Sequence, residues 1–446
     1  MLSTKFFVPA AAIVFFTSAA PVLAQTDPGV QGGAARAGGP IPGLTANQLA
    51  FFDAGSDDFA EAEGVGDGLG PRFNLDGCGG CHSQPANGGS APAVNPQFAV
   101  ATAFGARNTV PSFITLNGPI REARFKRLPS GAPDGGVHAL YVISQRNDGT
   151  GNASACNIVQ DNFAQAVSQN NVIFRIPTPT FGMGLMEEIT QSELERNLSE
   201  GASGRAAIGI TGRLNHNGND GRVTRFGWKA QNVSGLVFSG EAYNVEMGIT
   251  NEAFQVERDE TPACQFATTP NDVTNVDGVT AAESQSAIER FAAFMRFLAA
   301  PTQNQNVPGG NASIAEGFNA FVNIGCTSCH TQILRTGNST VAALRNQNVR
   351  LFSDLAIHNM GPGLADDVSQ GEAAGDEFRT APLWGLGQRV FFLHDGRTNN
   401  LLTAIAAHSS NANATYQASE ANTVIGRFNA LTATQKQNML NFLRSL

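Results

Sequence analysis

Positive charge is scarce. Lys and Arg number 28 against 37 Asp and Glu, a formal net charge of −9, which excludes the basic footprint of a nucleic-acid-binding chain. Charged residues of both signs make up 15% of the sequence, well under the usual ~25%, so this is not a solvated, self-repelling polymer. Six cysteines in 446 residues are too few for a disulfide-dense scaffold. Beyond residue 24 no apolar run approaches the ~20 residues that cross a bilayer, and no membrane span is expected. In their place stand 42% hydrophobic residues and 49 glycines. Such a chain can build a sizeable core and spends much of its backbone in turns. At roughly 100–200 residues per domain, two or three domains fit.

Residues 1–24 read as a secretory signal peptide. Lys5 provides a short positive region, Phe6 to Phe16 is apolar apart from Pro9, and Val22-Leu23-Ala24 ends with small residues at the cleavage positions. Cleavage near Ala24 predicts a periplasmic or secreted protein.

Four of the six cysteines form two copies of one motif: Cys78-Gly79-Gly80-Cys81-His82 and Cys326-Thr327-Ser328-Cys329-His330. C-x-x-C-H is the attachment motif for c-type haem. Two thiols three positions apart reach the two vinyl groups of one porphyrin, and the next residue places an imidazole under the iron. A zinc site shared by the pairs would not require the same trailing His at both. A redox dithiol would need a strand before the motif, where Phe73 to Gly77 reads as a loop. Two covalently attached haem c groups are therefore expected, with His82 and His330 as iron ligands. Cys156 and Cys264 remain. In an oxidising compartment an even remainder suggests a disulfide, and two buried free thiols are the alternative.

The expected fold is mainly α and loop-rich, with two cytochrome c-like haem domains, the first elaborated with short β-strands. Residues 25–45, rich in Gly, Pro and Ala, read as an extended arm, and 46–59 as a short helix. Between about 100 and 265, β-like runs such as Ala139 to Ser144 alternate with Asn/Gly turns. A helical stripe, Ile288, Phe291, Met295 and Leu298, falls within 281–299, and Val307-Pro308-Gly309-Gly310 breaks the chain after it. Domains of 25–305 and 306–446 follow. The second has the layout of a small cytochrome c, with helices at 314–323 and from about 433 to 446, the latter opened by the capping-box signal Thr432-Ala433-Thr434-Gln435.

Several segments together resemble the secreted diheme oxidoreductases, also called diheme thiol oxidoreductases, which are related to bacterial diheme cytochrome c peroxidases and diheme rubber oxygenases. They are 70–74 before the first haem motif, Gly182-Met183-Gly184-Leu185-Met186-Glu187, 225–230, 246–250, 358–366, 378–386 and His394-Asp395-Gly396-Arg397. The resemblance runs over nearly the whole mature chain. It implies a second axial ligand for the second haem fourteen residues after His394, where relatives usually carry Met and this chain carries His408. A bis-His haem has a lower potential than a His/Met one. The resemblance also marks Glu187, with Glu188 beside it, as the acid/base that assists O–O cleavage. It places Trp228 and Tyr243 near the first haem and Trp384 between the haems as a relay. Arg379 and Arg397 match haem propionates, because a guanidinium pairs bidentately with a carboxylate. His138 is a candidate cap for the first iron. Asp366 and Asp395 are expected to fix loops. Relatives can hold calcium between the haems, although no ligand cluster is legible here.

The leading expectation is a diheme oxidoreductase that exchanges electrons with a periplasmic redox protein or a small-molecule donor or acceptor. It would reduce a small oxidant at the first haem in a peroxidase-like reaction. A non-catalytic electron-transfer cytochrome and a haem-dependent oxygenase of an organic substrate are the alternatives.

Overall fold

Two crossed helix pairs organise the chain. The structure, a computed structural model, describes residues 25–446, and the expected leader lies outside the described residues. Helix Ala46–Ala60 crosses helix Ala287–Phe297, and helix Gly310–Ile324 crosses helix Ala433–Ser445. Each crossing is closed by a glycine. A Cβ on Gly55 would strike the Arg290 carbonyl, and one on Gly317 the Asn438 carbonyl. Four residues further on, each first helix carries a buried phenylalanine, Phe59 or Phe321. Its ring packs on the histidine of the following Cys-x-x-Cys-His turn, at centroid distances of 5.9 Å to His82 and 6.0 Å to His330. Both crossings set a helix pair beside a histidine-bearing turn, which fits a cytochrome c-like fold.

Local chemistry sets the helix ends. Thr45 with Gln48 and Thr432 with Gln435 form reciprocal capping boxes, each satisfying two otherwise orphaned backbone donors. The helix expected over 281–299 is shorter, Ala287–Phe297. The Asp272 carboxylate accepts from the Ala287 and Ile288 amides and fixes its start, leaving the preceding residues in turns.

The additional length of the first half is turns and small antiparallel ladders. Glu122–Phe125 pairs on one side with Val137–His138 and on the other with Val172–Arg175. Arg72–Phe73 pairs with Tyr141–Val142, which anchors the segment leading into the first motif. The two halves share their cores. The larger core, around Phe59, Phe73, Tyr141 and Phe294, takes in Leu334, Leu351, Leu355 and Trp384 from beyond position 306. The second core, around Phe321, Phe352 and Phe442, takes in Ile210 from before it.

Residues 25–45 form a strap across the second half. Asp27 pairs with both Nε and Nη2 of Arg444, at 2.7 and 2.9 Å, and accepts the Leu401 amide. The Gln31 amide donates to the Gly387 carbonyl. Further on the strap turns back to the first half, where the Ile41 amide donates to the Phe297 carbonyl.

Cys156 and Cys264 form a disulfide across a sequence separation of 108 residues. Cross-linking so long a loop removes much denatured-state entropy. Replacing both cysteines by Ser is expected to cost about 4–5 kcal/mol of stability, measured as a lowered denaturant midpoint, with the visible absorption of the native protein unchanged.

Candidate haem sites

Each Cys-x-x-Cys-His turn opens into its own cavity. The first encloses about 1160 Å³ including its mouth, and Cys78, Cys81 and His82 lie in its wall. The second encloses about 1420 Å³ and is lined by Cys326, Cys329, His330 and His408. The first turn is a single helical turn, Cys78–Cys81, pressed against Leu75. A Cβ on Gly80 would collide with that side chain.

The histidines are set up as neutral ligands. His82 Nδ1 lies 2.9 Å from the Gly89 carbonyl, His330 Nδ1 2.9 Å from the Phe352 carbonyl and His408 Nδ1 2.8 Å from the Ala404 carbonyl. A Nδ1–H donated to a carbonyl leaves the Nε2 lone pair free for a metal and fixes the ring orientation. Burial pushes His82 and His330 down to about 4 and lowers His408, so all three are uncharged at neutral pH.

Buried cations edge both cavities. Arg379 and Arg389 line the second, and burial lowers both to about 10. Arg379 donates to the Gly227 and Thr380 carbonyls, while Arg389 Nε has no partner. Arg121 and Arg175 line the first, and the Nε of each is also unpaired. Unsatisfied buried guanidinium donors are costly, and a propionate carboxylate would satisfy them. Thiols, imidazoles and cationic edges together fit one haem per cavity.

The first cavity also holds a carboxyl pair. Glu246, at the end of helix Gly235–Met247, and Glu122, on the central strand of the three-stranded sheet, both line it and hydrogen-bond each other. Two carboxyls in contact cannot both ionise. Burial, reinforced by Glu122, pushes Glu246 well up. Burial also opposes ionisation of Glu122, but the Arg124 charge, the Glu246 hydrogen bond and the Arg175 charge together outweigh it and hold that group below its ordinary value. Asn74 donates to Glu246 at 2.8 Å and fixes its orientation.

Trp228 lies in the wall common to the two cavities, with its indole N–H 2.8 Å from the Ile176 carbonyl. Next to it Lys229 is wholly buried. Its ammonium donates to the Ala374 and Glu377 carbonyls, at 2.7 and 2.9 Å, and lies 3.2 Å from Asp366. Asp366 also binds Arg175 at 2.7 Å and so fixes the loop, as expected. Among the described residues no group of three or more His, Cys, Asp or Glu side chains could hold a metal ion.

Four expected residues stand elsewhere. Glu187 is outside both cavity linings. Its carboxylate accepts the Gly235 amide at 3.0 Å and pairs with Arg296 at 3.0 Å, and Glu188 pairs with the same arginine. The glycine-rich turn before Glu187 serves packing, since Gly184 touches the Arg296 backbone with no room for a Cβ. His138 stacks on Phe125 with both ring nitrogens taken, Nδ1 by Asp161 at 2.6 Å and Nε2 by Asp134 at 2.9 Å, so it caps no iron in this fold. Arg397 is tied to Asp395 and the Gly363 carbonyl and lines neither cavity. Trp384 belongs to the larger core, against Gly182, and not to the septum.

The family model described as "Di-haem oxidoreductase, putative peroxidase" matches residues 131–446, and the chain belongs to this di-haem oxidoreductase family. Membership implies two haems. A comparison with curated protein sequences finds no match. Among solved structures, a hydrazine synthase chain of Kuenenia stuttgartiensis is 15% identical at a TM-score of 0.26, over 47% of this chain and 60% of its own length. A MauG-like protein associated with microbial copper homeostasis is 14% identical at a TM-score of 0.28, over 58% of this chain and 89% of its own.

Proposed function

We propose that this chain is a periplasmic diheme c-type oxidoreductase. Cys78/Cys81 and Cys326/Cys329 would each tether a haem, and the first cavity would receive a small oxidant, peroxide in the leading case, for reduction. The observation that carries the proposal is the pair of cavities, each with a Cys-x-x-Cys-His turn in its wall, sharing Trp228. A redox protein or small molecule outside the chain supplies the electrons. Bound haem iron supplies the coordination position and the redox couple.

The chain's residues do the remaining work. His82 would hold the first iron, and among the described residues no other histidine lines that cavity, so a small oxidant would meet no competing imidazole there. His330 and His408, both in the lining of the second cavity, would hold the other iron and suit it to electron transfer. Reducing peroxide to two waters consumes two electrons and two protons. Glu246, protonated and oriented by Asn74, donates to the departing oxygen, and Glu122 holds the proton's second position. Trp228 shortens the path for electrons between the cavities. Arg379 and Arg389 neutralise the second haem's propionates, and Arg121 and Arg175 those of the first.

His408→Ala tests the assignment. One low-spin haem should become high-spin and bind CO or cyanide, while both haems stay attached. An unchanged spectrum would mean that another residue lining the second cavity, His394 or Met360, is the ligand.

A further inference from the structure

The chain has three tyrosines, in three different settings. Tyr141 is buried, and its hydroxyl donates at 2.7 Å to the Gln97 carbonyl, an acceptor that cannot take the proton. Tyr416 donates to Asp367 at 2.8 Å but lines neither haem cavity. Tyr243 is 4% exposed, its ring lies in the wall of the first cavity, and its hydroxyl donates at 2.8 Å to Glu63 Oε1. Glu63 is outside the cavity lining and only partly buried. The phenol therefore spans the wall, with its ring towards the haem space and its proton towards a carboxylate that reaches the outside.

We propose that Tyr243 and Glu63 form a proton-coupled electron relay that stores one oxidising equivalent beside the first cavity. This rests on the peroxide reading above. Peroxide takes two electrons and two protons to become two waters. One electron comes from the haem pair and the other from Tyr243, while Glu246 gives one of the two protons and solvent water the other. As that electron leaves, the Tyr243 O–H bond breaks and an O–H bond forms on Glu63, leaving a neutral phenoxyl radical and a neutral carboxyl. A one-electron donor later returns the electron, and the proton moves back along the same hydrogen bond.

The surroundings favour this arrangement. Losing the electron alone would leave a buried phenol cation, which costs far more than a neutral radical. The acceptor is pre-positioned at hydrogen-bond distance, so the proton needs no diffusive step. Burial, helped by the nearby Glu61, Asp67 and Asp58 charges, raises Glu63 to about 7 against the opposing Tyr243 hydrogen bond, so both of its protonation states are accessible near neutral pH. The Tyr243 ring contacts Phe291 edge-on at 5.1 Å, which holds it in place.

The test is freeze-quench EPR of the two-haem protein mixed with hydrogen peroxide, with the optical spectrum followed in parallel. An organic radical signal should appear, narrow when the protein carries ring-deuterated tyrosine, and be lost in Tyr243→Phe. Glu63→Gln, which can accept the hydrogen bond but not the proton, should lose it too. Both variants should keep both haems and the peroxide-induced optical change. An optical change without a tyrosine signal, or an undiminished signal in Tyr243→Phe, overturns the relay alone. No optical change in the wild type overturns the peroxide reading and the relay with it.

Discussion

Glu246→Gln should lower peroxide turnover by about 10²–10⁴-fold, the range removed with a positioned general acid, while the absorption spectra of both haems stay unchanged. Gln fills the same volume, can accept from Asn74 and can donate to Glu122, so fold and cavity shape survive. The labile proton does not. Glu122→Gln should also slow turnover, because a neutral partner no longer holds the proton between two positions. Glu187→Gln is the control. Its carboxylate is engaged by Gly235 and Arg296 and lies outside both cavity linings, so turnover should be nearly unchanged. Full activity in Glu246→Gln together with a collapse in Glu187→Gln would reverse the assignment.

Asp27→Ala should destabilise the protein by about 3–5 kcal/mol, the cost of removing one partner from a buried ion pair. Arg444 is 1% exposed, and without Asp27 its guanidinium would keep only the Leu386 and Arg389 carbonyls. The effect has a pH signature. Burial opposes ionisation of Asp27, but its hydrogen bonds to Arg444, Leu401 and Gly29 outweigh this and set its folded value below the ordinary one. The contribution is therefore complete above the unfolded value of about 3.9 and is lost as pH falls through the lower folded value. Wild type and Asp27→Ala should converge in stability in acid and differ most at neutral pH, read from denaturant midpoints. Equal midpoints at pH 7 would show that the Asp27–Arg444 pair adds nothing.

What could be read from the sequence was what short-range chemistry determines. The haem motifs are five contiguous residues. The Thr432 cap is four, and its helix begins at the expected residue. The strap showed in its Gly and Pro content, but its anchor to Arg444 lies 417 positions away and leaves no local trace. The roles implied for Glu187 and Trp384 rest on family position alone, and packing places both side chains outside the cavity linings. Glu187 sits where Gly184 brings its helix against Arg296, and Trp384 closes a core. Glu246 carries no local sign of a role, because its meaning depends on Glu122, which the sheet brings to it from far earlier in the chain. Arg389 leaves no local sign, because burial without a partner is invisible in sequence. One overlooked signal was local. Gly55-x-x-x-Phe59 and Gly317-x-x-x-Phe321 repeat the same crossing and the same packing on a histidine, once before each haem motif.

The most direct test is the haem content of the mature protein made in a host competent for cytochrome maturation. Intact mass and a pyridine haemochrome assay should give two haems per chain that resist acid–acetone extraction. Peptide mapping should place them on Cys78/Cys81 and Cys326/Cys329. A chain at its bare polypeptide mass, or pigment that extracts completely, would contradict two thioether-bound haems.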